Sequence, residues 1–172
     1  MRQPAPSFRG LSPASVVSSR IASRGSAKRD TKPELLLRRA LRAAGVRYKI
    51  DVGAIPGRPD LAIPAARVAV FCDGDFWHGR SLRSRLAKLK RGHNASYWVS
   101  KIRSNVERDR RVDRALRHAG WTSLRLWETD IRANPQRTAA AVLRAIARKN
   151  TLRRKPRRKK RGAITRASKT LG

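Results

Sequence analysis

Three carboxylates, Asp60, Asp73 and Asp75, and one histidine, His78, fall within a single short stretch, PGRPDLAIPAARVAVFCDGDFWHG, spanning residues 56–79. Hydrolysing a phosphodiester with a divalent ion asks for such a set. Hard carboxylate oxygens hold the ion, and a side chain that titrates near neutrality takes a proton from water. The main-chain carbonyl of Cys72, at the end of the apolar run before Asp73, is a further oxygen donor. The chain has only 11 Asp and Glu against 43 Lys and Arg, so three acids in one hairpin exceed what surface solvation requires. Each residue also has a plainer reading. Asp73-Gly74-Asp75 is turn chemistry, a lone histidine is often only a structural donor, and Phe76 and Trp77 fit a core. Consecutive side chains at a strand end cannot both point inward, however. One of the two aromatics therefore faces outward, where an apolar wedge can unstack a base step.

These groups need elements to hold them. Thr31-Lys32-Pro33-Glu34 offers a capping hydroxyl, an early proline and a glutamate ahead of LLLRRALRAAG, so a helix starts there and ends at Gly45. Leu35, Leu36, Ala40, Leu41 and Ala44 recur at helical spacing and predict its buried face. Residues 46–52, VRYKIDV, alternate as a strand does. Residues 60–63 and 67–72 form an antiparallel hairpin about Pro64-Ala65-Ala66. Centred on Ala65, it sets Asp60 across from about Val70, with Cys72 or its neighbour beside Asp60 at the open end. Residues 81–92 read as a partly helical loop. A long helix over 95–118 carries Trp98, Ile102, Val106, Val112 and Leu116 on one stripe and closes at Gly120. Its Lys101, Asn105, Arg108 and Asp109 share a side, either as a solvated face or as a phosphate-holding one. Residues 121–127 read as a strand and 135–149 as a last helix.

The totals bound the partners. A formal charge of +32 over 172 residues points to a polyanion, with nucleic acid first. One cysteine, Cys72, excludes an internal disulfide and any multi-thiolate zinc site within the chain, and suits a reducing compartment. No apolar run approaches the roughly 20 residues of a membrane helix. The ends lack periodicity. Residues 1–19 are rich in Pro, Ser, Gly and Ala, and residues 150–172 are strongly basic with no acid. Both are expected to be disordered arms, flanking one domain over 20–149, with the basic tail gripping phosphates.

Taken together, RDTKPE from Arg29, PGRPD from Pro56, DGDFWHG ending at Gly79, YWVSKIRSNVERDRR from Tyr97 and GWTSLRLWE from Gly120 give the chain a specific resemblance. It resembles the very-short-patch mismatch endonucleases, bacterial relatives of the type II restriction fold, over about residues 20–147. The resemblance implies an α/β, restriction-endonuclease-like three-layer core, a central mixed β-sheet flanked by helices. It also implies a Mg²⁺-dependent DNA endonuclease acting near a mispaired base. Asp60 and the Cys72 carbonyl fall on its metal ligands, His78 on its general base and Glu34 on its assisting acid. Phe76, Trp77 and Trp98 fall on its DNA-wedging aromatics, and Lys101, Asn105 and Arg108 lie in a phrase matched nearly letter for letter, favouring DNA contact. Asp73 stands where well-studied members carry a second histidine, and is expected to join the metal-binding and catalytic set. Asp75, Arg80, a residue near Leu82 and Thr129 stand where the family holds zinc, so no structural zinc is expected, and an Asp75–Arg80 ion pair is expected to take over part of the tether. Expected partners are double-stranded DNA and mismatch-repair proteins, for a monomer in the bacterial cytoplasm at the nucleoid. Two readings compete. One is a restriction-type or other-lesion endonuclease of the same fold; the other is an inactive DNA-binding protein, motivated by the lost histidine and zinc ligands.

Overall fold

At Pro64 the chain turns back on itself, because proline has a fixed φ and no N–H to give a strand ladder. β1 (Leu61–Ile63) ends there, and one turn of 3₁₀ helix, Pro64–Ala66, completes the reversal with Arg67. β2 (Val68–Asp73) returns antiparallel with Leu61 opposite Val70. The next step along that ladder sets Asp60 level with Phe71, one residue from the expected register. β3 (Thr122–Trp127) pairs parallel on the other side of β2, from Val68 with Thr122 to Asp73 with Trp127. A parallel neighbour requires a crossover, and α2 (Leu82–Leu89) and α3 (Ala95–His118) lie in that connection. The computed structural model describes residues 29–78, 80–90 and 94–154, apart from the side chains of residues 85, 88 and 152–154. The arm expected over residues 1–19, and most of the one over 150–172, lie outside the described residues.

Alternation along the strands sorts side chains to two faces. Val68 and Val70 point to one face and bury against Leu37 and Leu41 of α1 (Lys32–Ala43), Ile131 of α4 (Glu128–Ala133) and Val142 of α5 (Pro135–Arg154). Ala69 and Phe71 point to the other and pack with Leu116 of α3 and Ile55. The result is the expected mixed sheet between helical layers. Leu37, Leu41, Val68, Val70, Ile131 and Val142 are fully buried, which at about 1.5–3 kcal/mol each makes the α1 side the main apolar core.

Several elements differ from expectation, each for a local reason. The buried face of α1 is rotated: Leu37 and Leu41 are inside with Glu34 and Arg38, while Leu35 is 50% exposed. Charged groups go under there because Arg38 Nη2 donates to Glu34 Oε2 at 2.9 Å. The Thr31 hydroxyl does not cap the helix backbone; it donates to Glu34 Oε1 at 2.8 Å. Residues 46–52 form no strand but one bridge, Lys49 with Ala62. Their alternation serves two cores: Val46 and Tyr48 pack on the α1 side, Val52 on the α3 side, and Ile50 is exposed. Residues 82–89 are a complete helix, α4 follows β3 directly, and α5 continues past Lys149 to Arg154. In α3 the bounds are as expected. Ile102 and Leu116 are buried, but Trp98 and Val106 are only half-buried, and Tyr97 and Asp109 go inside instead.

The PGRPD turn presses on α3. Gly57 has φ 80°, and a Cβ there would lie 2.3 Å from Val112 Cγ1. Gly57→Ala is therefore expected to destabilise the fold by about 1–3 kcal/mol, through both the strained backbone and the clash. Thermal unfolding checks this; an unchanged midpoint contradicts the packing described.

Candidate active site

The strand ends that carry the acids lie together. Asp73 closes β2 level with Trp127 of β3, and Asp60 stands just before β1 at the same edge. Asp60 Oδ2 accepts the Cys72 N–H at 2.6 Å. The hairpin thus brings Asp60 and Cys72 together as expected, the register shift notwithstanding. Burial pushes the Asp60 carboxyl up to about 6, and the neighbouring charges of Glu34 and Asp73 add to the rise against the Cys72 hydrogen bond and Arg38. Glu34 is tied down by the Asp30 N–H at 3.1 Å, by Thr31 and by Arg38. It shares with Asp60 the wall of a cavity of about 420 Å³. Asp60 is thus a buried hard oxygen donor that has further carboxylates, Glu34 and Asp73, as neighbours. That donor suits a divalent ion such as Mg²⁺.

Asp73 has a different neighbourhood. It shares the α3 side of the sheet with Arg125, which alternates with the core residues Leu124 and Leu126 on β3. Arg125 Nη1 donates to both Asp73 oxygens, at 2.8 and 3.1 Å, and its Nη2 lies 3.4 Å from Asp109 Oδ1. Arg125 Nε donates to Asp113 Oδ1 at 3.2 Å, and the guanidinium sits 4.6 Å over the Phe71 ring. Asp109 and Asp113, four apart on α3, supply one face of carboxylates to this cation. Ser123 also donates to Asp113, at 2.7 Å.

His78 joins the cluster from a tight turn. The N–H groups of Trp77 and His78 donate to the Gly74 carbonyl at 3.1 and 3.2 Å, so the Asp73-Gly74-Asp75 phrase makes a turn as well as carrying acids. His78 Nδ1 then lies 2.7 Å from Asp109 Oδ2 and 3.5 Å from Asp73 Oδ1. Burial works against the Asp109 carboxylate, but the His78 hydrogen bond and the Arg125 and Arg108 charges outweigh it and hold the group below its ordinary range. Asp73 goes the other way: burial raises it, and His78 and Arg125 offset this only in part. Asp73, His78 and Asp109 each offer a ligand atom within 4.8 Å of the others, a spacing that admits an ion. The guanidinium of Arg125 already engages both Asp73 oxygens. The expectation that Asp73 shares an ion with Asp60 therefore meets a bound competitor.

The aromatics expected to face DNA form one cluster. Phe76 and Trp77 meet edge to face at 4.9 Å, and Trp98 lies 5.8 Å from each. Trp77 is 42% exposed. Asn105, expected at the DNA, donates to the Trp77 carbonyl at 3.1 Å and so braces the turn that carries His78. Arg108 Nη2 lies 3.3 Å from Asp109 Oδ1, and Lys101 is half-buried one turn before Asn105.

Asp75, Arg80 and Thr129 also come together. Asp75 accepts the Thr129 N–H at 3.1 Å and its hydroxyl at 2.9 Å, and pairs with Arg80 at 3.1 Å. Arg80 reaches on to Thr129 and Asp130 and stacks over Trp127 at 5.7 Å. The Asp75–Arg80 pair is thus one edge of a clasp from the His78 turn to α4.

Sequence reasoning missed the partners rather than the principals. In the sequence Asp109 reads only as part of a helix face, and neither Arg125 nor Asp113 stands out. The available signal was a charged residue at an inward position of WTSLRLW, which demands buried counter-charges.

A family model described as "DNA mismatch endonuclease Vsr" matches residues 15–84. The chain is 41% identical over 122 residues to the type II nicking enzyme V.NmeDIP of Neisseria meningitidis serogroup C, covering 71% of this chain and 81% of that protein. It is 39% identical over 121 residues to the type II nicking enzyme V.HpaIIP of Haemophilus parainfluenzae, covering 70% and 84%. Against the DNA mismatch endonuclease Vsr of Escherichia coli K12 it is 34% identical over 119 residues, covering 69% and 74%.

The raised Asp60 fixes a sign for stability. The folded protein binds this proton more tightly than the unfolded chain, so the associated stability is full below about pH 4 and is lost as pH rises through about 6. Asp60→Asn removes the penalty. The variant is expected to exceed the wild type by about 1–3 kcal/mol near neutral pH, with the gap opening between about pH 4 and 6. Mg²⁺ is expected to raise the melting point of the wild type only. Melting curves across this range check it; an Asn variant less stable than wild type at neutral pH contradicts the assignment.

Proposed function

The chain belongs to the Vsr family of DNA mismatch endonucleases and is a DNA endonuclease, and from that premise we propose that it nicks one strand of duplex DNA beside a mispaired base in a Mg²⁺-dependent reaction. The observation that carries the proposal is the 2.7 Å contact between His78 Nδ1 and Asp109. With Nδ1–H donated to that carboxylate, Nε2 keeps its lone pair and is the base that takes a proton from water. Asp60 and the Cys72 carbonyl would hold Mg²⁺, which when bound neutralises phosphate charge and makes water more acidic. Glu34 keeps a second negative charge near Asp60 and strengthens that cation site.

The chain's own steps then follow. The water oxygen attacks phosphorus as its proton passes to His78 Nε2, the bond to the leaving sugar oxygen breaks, and that oxygen takes up a proton. Asp109 stabilises the imidazolium that forms. Arg125 keeps Asp73 engaged, so that Asp73 serves the seat of His78 rather than the ion. Phe76, Trp77 and Trp98 wedge into the stack, which opens most easily where a base pair is already weak. Among the described residues His78 is the one histidine seated in this way, so a monomer would cut one strand, in keeping with relatives named as nicking enzymes.

The setting we propose is mismatch repair in a bacterial cytoplasm, at the nucleoid and alongside other repair proteins. No helix among the described residues is long and apolar enough to cross a membrane. The alternative is a restriction-type cut or a nick at another lesion, since membership of the family fixes the chemistry and not the target. Circular duplexes carrying T·G, other mismatches or none separate the two. His78→Ala is expected to lower nicking about 10²- to 10⁴-fold, and Trp77→Ala to erase the preference for mismatched DNA. Equal cutting of matched and mismatched circles, unaltered by Trp77→Ala, overturns the mismatch reading.

A further inference from the structure

Two arginines converge on one carboxylate at the rim of the Asp60 cavity. Arg58 Nη2 lies 3.0 Å from Asp51 Oδ1, and Arg29 pairs with Asp51 Oδ2. All three residues line the cavity whose wall includes Asp60 and Glu34. The arginine side chains are 59% and 69% exposed, so neither is needed to fill the core. Two guanidiniums on one carboxylate leave a local excess of positive charge at this rim, beside the acids Asp30, Glu34 and Asp60 of the same cavity.

The backbone adds an independent observation. Asp51 has φ 52° and Arg58 φ 48°. Aspartate tolerates this left-handed region, but arginine avoids it, and Arg58 precedes Pro59, where extended backbone is normally favoured. Glycine would suit position 58 better. The chain instead holds a charged side chain there under strain, as functional sites do in folded proteins.

We propose that Arg29 and Arg58 form a phosphate grip that seats the DNA backbone next to the phosphate being cut, with Asp51 holding the two forks in place until DNA displaces it. Guanidinium forks match phosphate oxygens in bidentate geometry, and a phosphate can take both arginines as the carboxylate does. The rim then fixes the register of the strand while Asp60 and His78 act on the neighbouring linkage. The grip rests on the DNA-cleaving reading for its ligand, and its test does not use cleavage.

Binding of the full chain to a fluorescein-labelled duplex is read by anisotropy in metal-free buffer across a salt series. Arg29→Ala and Arg58→Ala are each expected to weaken binding on the order of tenfold at low salt and to make the log–log salt slope shallower by about 0.9. Arg58→Lys, with charge but no fork, is expected to fall between wild type and Arg58→Ala. Asp51→Asn removes the competing carboxylate and is expected to tighten binding. A purely structural tether predicts the opposite for that variant: Asp51→Asn would weaken binding as Arg58→Ala does. That result, or arginine variants with wild-type affinity and slope, overturns the grip. A chain that shows the expected pattern and never cuts DNA would refute the proposed function and leave the grip standing.

Discussion

The arrangement of the site depends on the guanidinium of Arg125 on the α3 side of the sheet. Asp73 from β2 and Asp109 and Asp113 from α3 converge there, and three buried or half-buried carboxylates would repel one another strongly in a low-dielectric setting. Arg125 bonds both oxygens of Asp73, lies near Asp109 and donates to Asp113, so one cation makes the cluster tolerable. Its place follows from the parallel pairing of β2 with β3, which sets Phe71 beside Arg125 and Asp73 beside Trp127. Fixing these carboxylates also fixes His78, since the imidazole leans on Asp109 at 2.7 Å.

The two acids that flank this edge of the sheet are thereby divided in character. Asp60 has the Cys72 N–H and the charge of Arg38 for support, and burial raises its carboxyl to about 6. Asp73 has a guanidinium nitrogen, Arg125 Nη1, bonded to both of its oxygens. A divalent ion gains more at the first than at the second, where it would have to displace an arginine. The hairpin that carries Asp60 and the turn that carries His78 are separately braced, by Gly57 against Val112 and by Asn105 and the Asp75–Arg80–Thr129 clasp. Exposed members of such a clasp contribute only about 0–1 kcal/mol each, so its role is to orient the turn rather than to stabilise the domain.

Much of this was legible in the sequence, and the gaps have physical causes. The hairpin and the long helix were readable because Pro64 and the apolar spacing of Ile102, Val112 and Leu116 leave few alternatives. The α1 face was misread because Glu34 and Arg38 look solvent-seeking until their pairing is known. Residues 46–52 imitate a strand because every second residue is apolar, although Val46 and Tyr48 serve one core, Val52 the other and Ile50 neither. That Asp60 and Cys72 meet could be read from the hairpin's spacing, whereas the fate of Asp73 depended on Arg125, 52 residues away. Local patterns expose which groups are present. The parallel pairing of β2 with β3 decides that Asp73 meets Arg125.

The division of labour between Asp60 and Asp73 is tested most directly by where an ion sits. Anomalous scattering from Mn²⁺, in crystals of the protein with uncleaved mismatched duplex, locates it without reference to activity. The account predicts the ion on Asp60 and the Cys72 carbonyl, with the Arg125–Asp73 pair intact and His78 still on Asp109. An ion held by Asp73, His78 and Asp109, with Arg125 swung away, would contradict it.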